Sequence, residues 1–187
     1  MTTPKQVSRN WWAALPLFFF LLLAFVFYYL LVDGKDASEI PSALLDKPAP
    51  QLTLDALEGS GLEGFEPDMF SGKLTVVNVF ASWCTPCRQE HPQIVQLAKD
   101  PRITMVGLNH KDEPANALKF LDELGNPYDR IGIDPKGRAS IEWGVYGIPE
   151  TFLIGSDGKI FFKHVGPISL NILKTRILPL IEEASKQ

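Results

Sequence analysis

The 187 residues include only two cysteines, three histidines and three methionines. Two cysteines cannot build the multi-bridge framework of a small disulfide-rich domain. By themselves they cannot supply the four ligands of a structural zinc site either. Basic residues are not in surplus: 18 Lys and Arg stand against 22 Asp and Glu, for a formal charge of −4 and a pI near 5.4. That balance leaves no basic face for a phosphate backbone, which sets nucleic-acid binding aside. Internal repeats and low-complexity tracts are absent, so solenoids and disordered arrays are excluded as well. With 45% hydrophobic residues, the length suits one domain of ordinary size plus an accessory segment.

Charge is missing altogether from one stretch. Trp11–Val32 reads WWAALPLFFFLLLAFVFYYLLV. As a helix these residues span about 33 Å at 1.5 Å per residue, enough for a hydrocarbon core. Trp11 and Trp12 lie at one end and Tyr28 and Tyr29 near the other, as interfacial aromatics do. Pro16 falls in the first turns, where proline disrupts least. Lys5 and Arg9 precede the run; Asp33, Asp36 and Glu39 follow it, with Lys35 the one cation among them. The positive-inside rule then places residues 1–10 in the cytoplasm and the remainder outside. A cleaved signal peptide is the competing reading, but the run is long for one and no A-x-A-like site follows. Residues 11–32 are thus expected to be a retained single-pass transmembrane anchor, residues 33–46 a polar tether, and 47–187 the folded domain.

Within that domain, Ala49–Leu57 alternates apolar and polar residues as an outer strand would. Lys73–Ala81 (KLTVVNVFA) suits a buried central strand, and a helix follows over Thr85–Lys99. Pro86 fits its first turn, whereas Pro92 should bend it. Ile103–Leu108 is a second apolar strand. Pro114–Leu124 has apolar residues spaced for one helical face, with Gly125 to cap it. Tyr128–Asp134 is a further short strand. Thr151–Ile154 and Ile160–Val165 flank Ser156–Lys159 as a hairpin, and Leu170–Ser185 closes the chain as a helix. Helices interleaved with buried strands predict an α/β fold with a central mixed sheet.

Both cysteines lie in Phe80–Glu90, FASWCTPCRQE. A zinc site would need more ligands, and His91, His110 and His164 are not spaced to provide them. A purely structural bridge between Cys84 and Cys87 would close too short a loop to restrain the unfolded chain much. A redox-active dithiol remains. Cys84 should sit where a strand ends and a helix begins, where free N–H groups and the helix dipole stabilise a thiolate. Cys84 is then the attacking sulfur and Cys87, one turn in, the resolving one. Trp83 would flank the nucleophile.

WCTPC resembles the W-C-G-P-C of thioredoxins, and Gly147-Ile148-Pro149-Glu150-Thr151 resembles their cis-proline loop. That resemblance implies a thioredoxin-like fold in which Pro149 faces the cysteines and the backbone at Ile148 pairs with an extended client. Thioredoxins carry a buried Asp six residues before the first cysteine; here the position is Asn78, which cannot accept a proton. Glu90 and Glu150 are the candidates to replace it, if buried. GVYGIPETF at Gly144–Phe152, with GLNHKD, GNPYD and DPKGR upstream, is similar to the membrane-tethered thioredoxin-like proteins of cytochrome c maturation (CcmG/DsbE type). Segment 107–143 looks like that family's central insertion. Tyr146, Glu90 and Glu150 match positions that shape its groove, alongside Trp83, Pro86, Ile148 and Pro149.

The resemblance implies a bacterial inner-membrane protein with a periplasmic, monomeric domain. It would take electrons from a membrane thiol-disulfide carrier. It would keep the C-x-x-C-H cysteines of apocytochrome c, or the C-x-x-C cysteines of a maturation partner, reduced, with no cofactor beyond the dithiol and no metal. Two other readings stay open: a copper-delivering assembly chaperone, which would need a distant ligand such as His164, and reduction of another envelope or spore client. His91 and Arg88 are expected on the helix surface, Trp143 in the core, and Lys111–Glu113 in a solvated loop.

Overall fold

The computed structural model describes residues 15–32 and 44–186. The chain falls into two units that divide after Ala37. In the first, α1 (Leu15–Val32) is an apolar helix whose side chains over residues 15–30 are all exposed. Its 18 residues span about 27 Å, just short of a hydrocarbon core of about 30 Å. Among the described residues no helix is long and apolar enough to cross a membrane. The expected cytoplasmic segment 1–10, the first turn of the expected anchor and most of the expected tether lie outside the described residues.

The second unit is built on five strands: β1 (Leu74–Phe80), β2 (Ile103–His110), β3 (Arg130–Asp134), β4 (Glu150–Ile154) and β5 (Ile160–Val165). Their order in the sheet is β3-β2-β1-β4-β5. The β1–β2 and β2–β3 pairs are parallel; β1–β4 and β4–β5 are antiparallel. The sheet is therefore mixed, as the strand and helix pattern predicts. All seven residues of β1 are buried, because both faces of this central strand are covered, which explains its unbroken apolar character.

One face carries α2 (Thr85–Leu97), α3 (Pro114–Leu124) and the C-terminal helices. Ile94, Leu97, Phe120, Leu121, Leu173, Ile177 and Ile181 pack there on Val76, Met105, Ile131 and Leu153. On the other face lie much of residues 44–72 and α4 (Arg138–Glu142), with Phe65, Phe70, Ala139 and Trp143 on Val77, Val79, Val106 and Phe152, while Leu57 and Leu62 cross to the first core. Helix α2 runs through Pro92 without a break, and α3 spans Pro114–Leu124 as the apolar spacing predicts. Gly125 ends α3 at φ 91°, a backbone region that L side chains avoid.

Two elements depart from the sequence reading. Ala49–Leu57 forms no regular strand; its alternation is real, but it meets the fold through isolated bridges at Leu54 and Ala56, with another just before it at Pro48. The closing helix is not continuous: α5 (Leu170–Ile172) passes through a π-helical turn (Leu173–Ile177) into α6 (Leu178–Ala184). Pro179 opens α6 without an N–H for the carbonyl four residues back, and the wider turn precedes it. The fold also begins earlier than Lys47: Leu44 packs beside the second core, and the Asp46 N–H donates to the Ile160 carbonyl at 2.8 Å. Segment 107–143 includes the second half of β2 and all of α3, β3 and α4, so it supplies the sheet's β3 edge.

Candidate active site

Strand β1 ends at Phe80, and a four-residue turn delivers Cys84 to the N-cap of α2. Asp112 fastens that turn, its carboxylate accepting from the Ser82 N–H at 2.5 Å and the Ser82 hydroxyl at 2.6 Å. It is a structural clamp rather than the solvated loop residue expected from sequence. The Trp83 indole donates to the Lys111 carbonyl at 2.9 Å, so its ring is held while 58% exposed. Cys84 and Cys87 form a disulfide. The Cys87 N–H points at Cys84 Sγ, 3.1 Å away. An N–H aimed at that sulfur, at a helix N-terminus, stabilises a thiolate on Cys84 in the reduced form. Cys84 is only 4% exposed and Cys87 2%; position at the helix cap, more than exposure, separates attacker from resolver. Pro86 is exposed in the first turn.

Opposite this turn, the Ile148–Pro149 peptide bond is cis. Pro149 leads directly into β4, whose Glu150 pairs with Val79, next to the end of β1. The cysteine turn and the proline loop are thus set side by side at one end of the two central strands. Tyr146 is 62% exposed at the loop's edge, and Ile148 is half-buried.

The two glutamates go to opposite faces of the sheet. Glu90, on α2, lies on the face that holds the cysteines and is 1% exposed. Its Oε1 accepts from Asn78 Nδ2 at 2.9 Å and its Oε2 from the Ile168 N–H at 2.8 Å. Burial raises its pKa to about 7, against the lowering effect of the Ile168 and Asn78 bonds. Asn78 is fixed in turn: the Tyr128 hydroxyl donates to its Oδ1 at 2.7 Å, and its Nδ2 also reaches Thr151 Oγ1 at 3.2 Å. Burial, and then the Glu90 charge, push the Tyr128 pKa well above the usual tyrosine value. Sequence reasoning missed Tyr128; its place in the GNPYD string was the only signal.

Glu150 shares its face with Val79 and Phe152, away from the dithiol. It is fully buried, with Lys163 Nζ 2.9 Å from its Oε2 and the Tyr146 and Gly147 N–H groups donating to its Oε1 at 2.8 and 3.3 Å. Of the two candidates for the missing acid, geometry therefore favours Glu90.

His91 is not on the helix surface. It is 2% exposed, its Nε2–H donating to the Gly125 carbonyl at 2.8 Å, with its ring edge-on to Phe120. Burial lowers its pKa, which the Gly125 bond opposes and Arg88 assists. Arg88 is at the surface as expected, 3.1 Å from Glu123 and over the Phe120 ring. Beside Trp83, the residues Ser82, Arg88, Asn116, Lys119 and Phe120 line a shallow cleft of about 310 Å³. A larger concavity of about 630 Å³ lies elsewhere, between the β4–β5 turn and α6, and includes none of the site residues.

Residues 44–177 match the Redoxin family. The chain is 51% identical over 158 residues to the thiol:disulfide interchange protein CycY of Rhizobium leguminosarum bv. viciae, covering 81% of each chain. The chain belongs to the Redoxin family, among the thiol:disulfide interchange proteins. It is also 38% identical to the thiol:disulfide interchange protein DsbE of Escherichia coli K12, over 92% of this chain and 95% of that one. A crystal structure from Chlorobium tepidum, assigned as a thiol:disulfide interchange protein DsbE, superposes with a TM-score of 0.58 at 26% identity, covering 75% of this chain and 96% of that one. The fold is thioredoxin-like and the activity is that of a thiol-disulfide oxidoreductase with Cys84 and Cys87 as its C-x-x-C pair.

Proposed function

We propose that this oxidoreductase is a reductant of cytochrome c maturation, carried by the Trp11–Val32 anchor at the bacterial inner membrane with its domain in the periplasm. Its client is the C-x-x-C-H disulfide of apocytochrome c, or the C-x-x-C disulfide of a maturation partner, and its electron donor a membrane thiol-disulfide carrier. The similarity of GVYGIPETF to the maturation family supports the client. The charge asymmetry around the anchor supports the orientation. The observation that carries the mechanism is Glu90, buried on the dithiol's own face, one turn beyond Cys87.

In the reduced protein the Cys84 thiolate attacks one client sulfur, and the other client sulfur leaves as a thiolate. Cys87 yields its proton to Glu90, whose pKa of about 7 lies near ambient pH. The Cys87 thiolate then attacks Cys84 Sγ and displaces the second client thiolate; the Glu90 proton and one from solvent complete the client dithiol. Two electrons have passed to the client, and the Cys84–Cys87 disulfide seen here is the product. The donor's dithiol reduces it again. The reaction needs no cofactor beyond the dithiol and no metal, and one monomer suffices. Trp83, Pro86, Tyr146, Ile148 and Pro149 form the walls that receive the client, and tethering raises the domain's concentration near donor and acceptor.

The test is trapping. Cys87→Ser leaves Cys84 unresolved and should accumulate a mixed disulfide with apocytochrome c, through its C-x-x-C-H, or with a maturation partner, through its C-x-x-C. Trapped clients that are neither apocytochrome c nor a C-x-x-C maturation partner, or normal c-type cytochrome formation in a Cys84→Ala strain, would remove the reading.

A further inference from the structure

We infer that Lys163 is a positioning residue for the client groove: its ammonium holds the Gly144–Glu150 wall in the shape that receives a client segment. The inference rests on thiol exchange through the groove proposed above and is independent of which client enters it.

Lys163 lies on β5, opposite Phe152 and diagonal to Glu150 on the same sheet face. Its side chain is 2% exposed, and lysine is almost never buried this far unless paired. Four groups surround Nζ. Glu150 Oε2 stands 2.9 Å away, and Nζ donates to the Gly144 carbonyl at 2.7 Å. The Tyr146 ring centroid is at 4.3 Å and that of Phe152 at 5.2 Å, both within cation–π range. Glu150, held by this cation, in turn accepts from the Tyr146 and Gly147 N–H groups.

The ends of the loop are held by backbone bonds, from the Gly144 and Val145 N–H groups to the Ile141 and Ser140 carbonyls and from the Gly166 N–H to the Pro149 carbonyl, with Val145 and Ile148 packed on the cores; Tyr146 and Gly147, between them, have less. A Cβ built on Gly147 would meet nothing within 4 Å, and Tyr146 is largely exposed. The shape of that middle stretch therefore depends on polar contacts that run through Glu150 to one ammonium. A buried ion pair contributes little net stability compared with an apolar pair of the same volume. Its conformational value is the stronger reason for its presence: it sets the angle of the Tyr146 ring and the path of the backbone into Ile148. Because Lys163 shares its face with Glu150, away from the face that holds the sulfurs, it acts only through that wall.

The experiment uses the full-length chain in detergent and compares wild type with Lys163→Met, Lys163→Arg and the double variant Lys163→Met with Glu150→Gln. The double variant removes the stranded carboxylate while its amide oxygen still accepts from Tyr146 and Gly147, so it keeps the test alive where the single variant does not fold. Two reactions are followed: reduction of a short peptide with an internal C-x-x-C disulfide, and alkylation of reduced Cys84 by iodoacetamide, which needs no groove. Loss of the cation should raise KM for the peptide about tenfold, the order of one partly desolvated cation–π contact with the backbone it holds. The alkylation rate should stay unchanged, and Lys163→Arg should recover most of the KM. An unchanged KM in a folded variant, or alkylation that slows in step with peptide reduction, overturns the assignment. Failure of the cytochrome reading would show differently: wild type would treat C-x-x-C-H and other C-x-x-C peptides alike, with the Lys163 effect intact.

Discussion

Glu90 shows how a single residue's environment sets its chemistry. Its carboxyl is desolvated, so its folded-state pKa of about 7 lies above the ordinary 4.5. The folded protein thus binds a proton more tightly than the unfolded chain does. That contribution is fully present below pH 4.5 and is lost as pH rises through 7. Glu90 should contribute a loss of about 3 kcal/mol between these limits, at about 1.4 kcal/mol per pKa unit, partly offset by His91, whose lowered pKa favours the folded state as pH rises. Glu90→Gln should flatten this dependence, and urea unfolding at pH 5 and pH 8 checks it. An equal slope in both proteins would place the titration elsewhere. Asn78 and the dithiol were legible as residues, and Glu90 and Glu150 as a pair of candidates. Which of the pair turns toward the sulfurs was not, because the pleat that sends Thr151 to one face and Glu150 to the other depends on register with β1. Lys163 was illegible for the same reason: nothing in FFKHV says that the lysine points inward.

Among the elements, the β1–α2 junction is the one most clearly dictated by local sequence. An apolar strand, a short turn and a helix with proline in its first turn place Cys84 at the cap. The facing strand explains a second motif. Gly107 in β2 lies opposite Asn78, and a Cβ there would come within 2.9 Å of Phe80 and 3.1 Å of Tyr128. Its bare backbone lets Tyr128 stack on Phe80 at 4.9 Å and reach Asn78. Gly107→Ala should destabilise the fold by about 1–3 kcal/mol through overpacking. By displacing Tyr128 it should also raise the Glu90 pKa, since the Asn78 donor loses its orientation. Denaturant midpoints, with the pH profile of peptide reduction, measure both effects. A midpoint like that of wild type would mean the rings yield freely.

At the scale of the whole molecule, both apolar cores lie within residues 49–181, which predicts that residues 44–187 fold without the apolar N-terminal run. Expressed alone, this part should be soluble, unfold cooperatively in urea and reduce peptide disulfides at the full-length rate. The full chain should stay with membranes through an alkaline carbonate wash. Its release by that wash would remove the proposed anchor, and aggregation of the truncated domain would show that its cores are incomplete.

The sequence by itself determined the chemistry and the class of fold. Adjacent thiols after a buried strand, helices alternating with apolar strands, and the Gly-Ile-Pro-Glu-Thr loop are local patterns, and local patterns report local backbone preferences. Tertiary structure alone decided the protonation landscape and the shape of the groove. Burial of Glu90 and His91, the bond from Tyr128 to Asn78 and the Lys163–Glu150 pair each join residues from different elements. Desolvation and long-range pairing arise only when those elements pack, so no run of neighbouring residues could display them.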